Sequence, residues 1–174
     1  MSFVTGLEIE SLCADLTSFV PGRTLDDDAS VLLRFRGGAK GVLTASQVCI
    51  GEQNALTLRV HGTRGSIAWK QEEPNSLWVH REDRSEMHVR GVRPSAAAVG
   101  AASRIPPGPP EGFIEAFANI YRGAAQAIIA KKTGGAPGAM ALDAPTVHDG
   151  ARGVRFVEAV VASGGRWIGE GPRG

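Results

Sequence analysis

Apolar and polar residues alternate along most of the first ninety positions, which is the pattern of strands that turn one face to a core. The clearest stretch, residues 41–69, predicts two long strands and the start of a third, with a hairpin at the centre of a sheet. Within it, residues 61–65 contain two glycines, which tolerate positive φ angles and predict a tight turn. The first half of the chain is therefore expected to be mainly sheet.

Further strands are predicted on both sides of this stretch. Residues 7–20 alternate loosely and end at Pro21-Gly22, and residues 29–35 and two short segments at 77–79 and 87–89 continue the pattern. Short glycine-containing connections favour sequential antiparallel pairing. Because both strand faces carry apolar residues, we expect helices on one side of the sheet and a neighbouring domain or subunit on the other.

Helical spacing of apolar residues appears after residue 110. The first predicted helix carries them at Phe113, Phe117, Ile120, Tyr121, Ala124 and Ile128. Glu111 is interpreted as a first-turn charge that suits the positive end of the helix dipole. In the second predicted helix Thr146 caps the start and Asp149 reaches back to it. Its buried stripe is predicted to comprise Val147, Ala151, Val154, Val157 and Val161.

The segments around these helices lack a period. Residues 91–110, rich in Gly, Ala, Pro and Ser, are expected to form a flexible loop, and residues 132–144 a Gly/Pro/Ala-rich loop. Residues 166–168 predict a final strand added to the sheet. Strands followed by two helices favour an α+β fold with a mostly antiparallel, open-faced sheet and helices packed on one face. One domain spanning residues 1–174 is expected.

Composition excludes several functional classes. Lys and Arg number 19 against 18 Asp and Glu, without a basic block, so no nucleic-acid partner is expected. No apolar run approaches the roughly 20 residues that span a bilayer, so no membrane partner is expected either. Cys13 and Cys49 lie in apolar runs and the chain opens without a charged-then-apolar leader, which predicts buried free thiols and a cytoplasmic location.

Candidate chemistry is sparse. The four histidines share no metal-ligand spacing, and Asp26 to Asp28 is interpreted as a solvated turn, so no metal site is expected. Ser46 and Ser163 have no placed base, and no catalytic residue is assigned. No G-x-G-x-x-G stands between a strand and a helix. The glycines of residues 37–41 join two strands, so no cofactor is expected on this chain.

Several segments together make the chain recognisable. They are the turn at residues 61–65 followed by a strand ending in Trp69, the helix exit at residues 5–10, the strand entry at residues 26–31, and the helix starts at residues 110–117 and 145–150. In order and spacing, they resemble the C-terminal domain of the Gfo/Idh/MocA family of NAD(P)-dependent oxidoreductases. The resemblance implies a fold like the C-terminal domain of glyceraldehyde-3-phosphate dehydrogenase.

The resemblance further implies a parent enzyme that transfers hydride between NAD or NADP and a sugar, polyol or related hydroxylated molecule. The family's cofactor-binding Rossmann domain and its catalytic Lys would lie outside this chain, so the chain alone is expected to be inactive. Its partners would be that N-terminal domain, the substrate, and further copies in a homodimer or tetramer formed through the open sheet face. In the family, polar side chains on this sheet face the nicotinamide, which here indicates Gln47 and Asn54 as substrate-binding residues.

Alternatives remain open. Gln47 and Asn54 could instead satisfy strand-end hydrogen bonds around the bend at residues 51–52. The chain could be a stand-alone, non-catalytic module that binds a partner through its exposed sheet, and a natural start at Met1 would favour that. A hydrolase or isomerase would need converging acid and base residues, which the sequence does not show.

Overall fold

The computed structural model describes residues 1–92 and 97–169, and its backbone contacts divide the chain into two compact units. The first unit combines Met1–Gly51 with the described residues from Pro145 onward, and the second comprises Glu52–Ala144. The expectation of one domain for residues 1–174 stays a prediction.

The elements follow one another in a simple order. In chain order they are α1 (Ser2–Thr5), β1 (Ile9–Thr17), β2 (Asp28–Phe35), β3 (Lys40–Ser46), β4 (Thr57–Gly62), β5 (Gly65–Lys70), β6 (Ser76–His80), β7 (Ser85–Val89), α2 (Ala97–Ala102), α3 (Phe113–Thr133), α4 (Ala139–Leu142), α5 (Val147–Ser163) and β8 (Ile168–Gly169). The predicted α+β class and the antiparallel pairing are confirmed.

The first unit contains a four-stranded sheet, here called the first sheet, in the order β3-β2-β1-β8. The predicted final strand is confirmed, since β8 pairs with β1 at Ser11 and Leu12. On the face turned to α5, alternate residues of β1 and β2 pack against Val160: they are Leu12, Ala14, Val31, Leu33 and Phe35. Gly41 on β3 fits the same core, because a Cβ there would lie 3.0 Å from the Phe35 ring.

The buried side of α5 differs from the prediction. The helix turns Val160 and Ser163 into the core, with Phe156 and Ala159 partly buried, whereas the predicted stripe is wrong because Val147, Val154, Val157 and Val161 are 59–80% exposed. Both sides of this helix are apolar, so periodicity alone could not select the packed one. Ser163 ties the packed side to β1: its hydroxyl accepts a hydrogen bond from the Ala14 N–H and donates one to the Arg166 carbonyl.

The second unit contains the second sheet, in the order β4-β5-β6-β7. The turn predicted at residues 61–65 is confirmed, with Gly62 opposite Gly65. Gly65 has φ 152° and a Cβ there would overlap the His80 carbonyl oxygen, so glycine is required. The prediction that β3 and β4 belong to one sheet is wrong for the described residues, which place them in different sheets. The chain leaves β3 at Ser46, earlier than expected.

Two short helices lie within the predicted loops of the second unit. α2 occupies part of the segment 91–110, of which residues 93–96 lie outside the described residues, and α4 lies within 132–144. The Asn119 amide ties α3 to the end of α2 by donating to the Ala102 carbonyl at 3.0 Å. α3 ends as predicted, closing at Gly134 in the left-handed conformation, but it begins only at Phe113, after Glu111.

Candidate functional site

The two predicted substrate residues lie in different units. Gln47 directly follows β3 in the first unit, where its N–H donates to the Asp27 carbonyl at 2.8 Å. Asn54 lies on the exposed approach to β4 in the second unit, where its carbonyl accepts from Leu56 N–H. Both residues are exposed, and neither side chain makes a hydrogen bond within the described chain. Their amide groups are thus open to a ligand, and their substrate role stays a prediction.

Asp27 holds the backbone next to Gln47. Its side chain is buried, and its two oxygens accept the N–H groups of Phe19 and Val20 at 2.8 and 3.0 Å while Arg23 pairs with one of them at 3.3 Å. The Phe19 N–H, more than the others, lowers the pKa of Asp27 below the usual aspartate range, against the opposing effect of burial. The carboxylate therefore fixes the turn after β1, while the backbone carbonyl of the same residue holds Gln47 at the end of β3.

A cleft of about 380 Å³ opens on one face of the second sheet. Arg59 and His61 on β4 project on the same side as Trp78 and His80 on β6, because the pairing aligns Arg59 with Trp78 and His61 with His80 across β5. The Trp78 and His80 rings stack at 5.9 Å, and His80 Nδ1 lies 2.8 Å from the Ser85 hydroxyl. Lys70 adds a second permanent positive charge. This face suits a ligand that stacks on an aromatic ring and carries negative charge.

A buried polar network holds the start of α3. Arg90, 12% exposed, lies 2.7 Å from Glu111 Oε2, and its Nε donates to Asn75 Oδ1 at 2.8 Å. Its remaining donors reach the carbonyl oxygens of Ile105 and Pro109. The residues that precede α3 are thereby tied to the end of the second sheet, although they contain no regular secondary structure.

The role predicted for Glu111 is wrong. The helix is capped at Gly112, and the first-turn acid is Glu115, which accepts the Gly112 N–H at 2.8 Å. Glu111 instead turns back to accept the backbone N–H groups of Arg104 and Ile105. Glu111 precedes the capping residue and lies two positions before Phe113, the first residue of the helix, so it is outside the first turn and pairs with Arg90 instead.

The other candidate sites remain without support in the described residues. No group of three His, Cys, Asp or Glu side chains converges there to hold a metal. Cys13 and Cys49 are free thiols, but the prediction that they are buried is wrong, because Cys13 is only partly buried and Cys49 is exposed. Gly37 and Gly38 have φ angles of 84° and 92° in the β2–β3 turn and present no helix start, so this turn does not fit a dinucleotide. No helix of the described chain is both long and apolar enough to cross a membrane.

Sequence reasoning missed the cleft and the network for different reasons. The cleft had a signal, because Arg59 and His61 alternate with Leu58 and Val60 in the period of a strand. The network had none, because Asn75, Arg90 and Glu111 are separated by 15 to 36 residues and meet only through the fold.

Comparison with known proteins identifies the relatives of this chain. Residues 1–68 match the family described as the GFO/IDH/MocA C-terminal domain. Among curated proteins, an uncharacterized oxidoreductase, YfiI, of Bacillus subtilis (strain 168) is 32% identical over 167 residues, which is 93% of this chain and 42% of the relative. The chain thus spans less than half the length of this relative.

Solved structures agree with that match. An oxidoreductase from Sinorhizobium meliloti is 47% identical with a TM-score of 0.89, covering 96% of this chain and 48% of that one. An inositol dehydrogenase homologue from Azotobacter vinelandii, solved as a complex with NAD+, is 33% identical with a TM-score of 0.86, covering 94% of this chain and 43% of the other. Both matches therefore extend over nearly all of this chain.

Proposed function

We propose that the chain is the C-terminal domain of a GFO/IDH/MocA family oxidoreductase and forms the substrate side of an enzyme that transfers hydride between NAD(P) and a sugar or polyol. The observation that carries the proposal is the match to the Sinorhizobium meliloti oxidoreductase, 47% identical over 96% of this chain but only 48% of that enzyme. The glycine turn of the first sheet does not fit a dinucleotide, so the cofactor that exchanges hydride with the substrate would be held by an N-terminal domain.

In this function the chain's own residues bind and orient the substrate. The exposed amides of Gln47 and Asn54 can both donate to and accept from hydroxyl groups, which suits a polyol. Asp27 supports Gln47 through the backbone hydrogen bond at the end of β3. The inositol dehydrogenase homologue, also solved with NADH and myo-inositol, makes a cyclic polyol the first substrate to test.

The test is a chimaera in which the N-terminal part of the Sinorhizobium meliloti oxidoreductase precedes this chain. We expect NAD+ or NADP+ reduction with at least one member of a panel of polyols and sugars, and no turnover by the 174-residue chain alone. Gln47→Ala and Asn54→Ala should each raise KM about tenfold, as loss of one or two hydrogen bonds to the substrate predicts, while leaving the affinity for the dinucleotide unchanged. Gln53→Ala, at the exposed neighbour of Asn54, is the matched control.

A folded chimaera that binds dinucleotide but oxidises nothing in the panel would contradict the proposed substrate class. Turnover by the chain alone would contradict the proposal that an N-terminal domain binds the cofactor and this chain binds only the substrate. Equal KM values for all three variants would remove Gln47 and Asn54 from the site.

Assembly through the open sheet face is part of the same proposal. The face of the first sheet that points away from α5 exposes Leu32 and Val42, which is the arrangement of a sheet that packs against another surface. Light scattering on the 174-residue chain should give a dimer or larger species, and a monomer at high concentration would contradict it.

A second candidate function is favoured by the cleft of the second sheet. The cleft is lined by Arg59, Lys70 and Trp78. If the chimaera is inactive, this lining favours a non-catalytic module that binds an aromatic anion. Quenching of tryptophan fluorescence by such a compound, lost in Trp78→Ala, would support this function.

A further inference from the structure

The cleft of the second sheet has a floor and two walls, and the pairing of the strands explains this shape. β5 lies between β4 and β6, and it places the small side chains of Ser66 and Ala68 in the middle of the cleft. The residues beside them on the flanking strands are larger and face each other in two pairs: Arg59 with Trp78, and His61 with His80. Because adjacent strands are about 4.8 Å apart, the two walls are separated by roughly 10 Å, and the space above Ser66 and Ala68 stays open.

The wall on β6 is an aromatic surface that is already held in place. The Trp78 ring is 41% exposed, and the His80 ring stacks on it at a centroid distance of 5.9 Å with only 1° between the two planes. His80 is itself fixed, since its Nδ1 atom lies 2.8 Å from the Ser85 hydroxyl. A ring that is ordered before binding loses little side-chain freedom when a ligand stacks on it.

The wall on β4 and the end of β5 supply two permanent positive charges. Arg59 pairs with Ala68, so Lys70 is its diagonal neighbour across the two strands, at about 7–8 Å. Both cations are exposed, and neither has an ion-pair partner among the described residues. Glu73 also lines the cleft, which leaves two fixed cations against one carboxylate. The planar guanidinium of Arg59 can bind a carboxylate or a phosphate through two parallel hydrogen bonds.

We propose that this cleft binds a small molecule that carries one carboxylate or phosphate group on a flat, unsaturated ring. The ring stacks on Trp78, and the anionic group lies between the charged ends of Arg59 and Lys70. The inference goes beyond the proposed hydride transfer, because such binding needs neither the dinucleotide nor an N-terminal domain. Neither Gln47 nor Asn54 lines the cleft. The ligand therefore binds whether or not the chimaera oxidises a polyol.

The size of the cleft limits the ligand and the affinity. Its volume of about 380 Å³ lies near the lower end of the range of small-molecule pockets, which suits one ring or two fused rings. The cleft is open to solvent on one side, so part of the ligand stays hydrated. A dissociation constant of about 0.1–1 mM is expected for a ligand of this size.

The test is a titration of the isotope-labelled 174-residue chain, followed by NMR. Naphthoate and phenyl phosphate are the two anionic probes, and their relative affinities show which anionic group the cleft prefers. Decalin carboxylate keeps the charge of naphthoate but lacks the flat ring, and naphthylmethanol keeps the ring but lacks the charge. Each should bind at least about fivefold more weakly than naphthoate, because each lacks one of the two contacts. The indole N–H signal of Trp78 should shift on binding, and that of Trp167 should not.

Three substitutions separate the contributions to binding. Arg59→Gln should weaken naphthoate binding about tenfold, and Trp78→Leu about fivefold. Ala68→Leu keeps both groups but fills the floor between them, and should also weaken binding about tenfold, because the bulkier side chain takes the space of the ring. The matched controls are Arg64→Gln, in the exposed turn after β4, and Trp167→Leu, whose ring is 42% exposed; both should stay within about twofold of the parent. The spectrum of each free variant shows whether it is folded.

Several outcomes would overturn the inference. They are equal affinities for naphthoate and decalin carboxylate, a loss of binding in Trp167→Leu but not in Trp78→Leu, and full affinity in Ala68→Leu. A Trp78 signal that shifts with protein concentration but not with either anionic probe would show that a second copy covers this face, and would also overturn it. None of these outcomes bears on the proposed function, because the titration measures binding in the absence of dinucleotide and turnover.

Discussion

The two sheets have the same number of strands but are stabilised in different ways. The first sheet buries Leu12, Val31, Leu33 and Phe35 against its own helix α5, each 2% exposed or less. In the second sheet no residue of β4, β5, β6 or β7 is fully buried. That unit is instead fastened by the polar network of Arg90, Glu111 and Asn75. One sheet depends on apolar packing, whereas the other depends on specific polar contacts at its edge.

The largest expected effect is the difference between two leucines. Leu33→Ala should lower the free energy of unfolding of the first unit by about 2–5 kcal/mol, because it leaves a cavity in a closed core. Leu77→Ala, at a half-buried position on β6, should cost about half as much, because part of the lost contact is replaced by water. Denaturant titration monitored by amide hydrogen exchange assigns each loss to its unit. Equal losses would remove the distinction between the sheets.

The next effect tests the polar side of the comparison. Glu111→Gln should lower the stability of the second unit by about 2 kcal/mol, because it removes the charge facing the buried Arg90 while keeping an oxygen for the Arg104 N–H. Exchange protection at the start of α3 should fall while that of β1 and β2 is unchanged. Glu52→Gln, an exposed residue of the same unit, is the control. An equally small change in both variants would show that the network does not stabilise the unit.

The smallest expected effect is the loss of a helix cap, and it follows from a comparison of the starts of α5 and α3. At α5 the Thr146 hydroxyl accepts the Asp149 N–H, and Asp149 in turn accepts the Thr146 hydroxyl and N–H. At α3 the cap is Gly112, so only Glu115 contributes a side chain. The hydrogen bond from the Thr146 hydroxyl is the main cause that lowers the pKa of Asp149. The hydrogen bond from the Gly112 N–H is the main cause that lowers the pKa of Glu115. Thr146→Ala should therefore destabilise α5 by about 1 kcal/mol.

Because both pKa values are lowered by folding, each ionised carboxylate stabilises its helix above the unfolded pKa of about 4 and loses that effect as the pH falls through the folded value. The stability difference between the parent and Asp149→Asn should be constant from about pH 5 to 8 and should close below about pH 4. Glu115→Gln should follow the same course. A difference that persists at about pH 2 would show that the carboxylates act through packing and not through charge.

The strands and helices could be predicted from the sequence because their signals are local. The alternation in β1 and β2, the turn at Gly62 and Gly65, and the Thr146 cap each lie within a few residues. The buried side of α5 could not, since valines cover one side of the helix and Phe156 and Val160 the other. The packed side carries Ser163, whose hydrogen-bond partner Ala14 is 149 residues away and is therefore not visible in a local pattern.

The candidate site was predictable only in part. Gln47 and Asn54 were found as polar interruptions of apolar runs, and their exposure follows from the chain leaving β3 at Ser46. The sequence predicts a solvated turn for Asp27 and its neighbours, yet Asp27 is buried, whereas Asp26 is exposed and Asp28, the first residue of β2, is half-buried. Three consecutive aspartates look alike in the sequence. Which of them is buried can be told only once the start and register of the strand are known.

The hydrogen bond between Ser163 and Ala14 joins an early and a late part of the chain. Their separation sets when α5 can cover the first sheet during synthesis on the ribosome. Strands β1, β2 and β3 of the first sheet are translated before residue 52, but the helix that covers them is complete only at residue 163, after the whole second unit. At about 5–20 residues per second this delay is roughly 6–22 seconds. Throughout it, the nascent β1–β3 sheet has no helix of its own over Leu12, Leu33 and Phe35. Chaperone contact with the nascent chain is therefore expected to concentrate on this early segment and to end when α5 emerges.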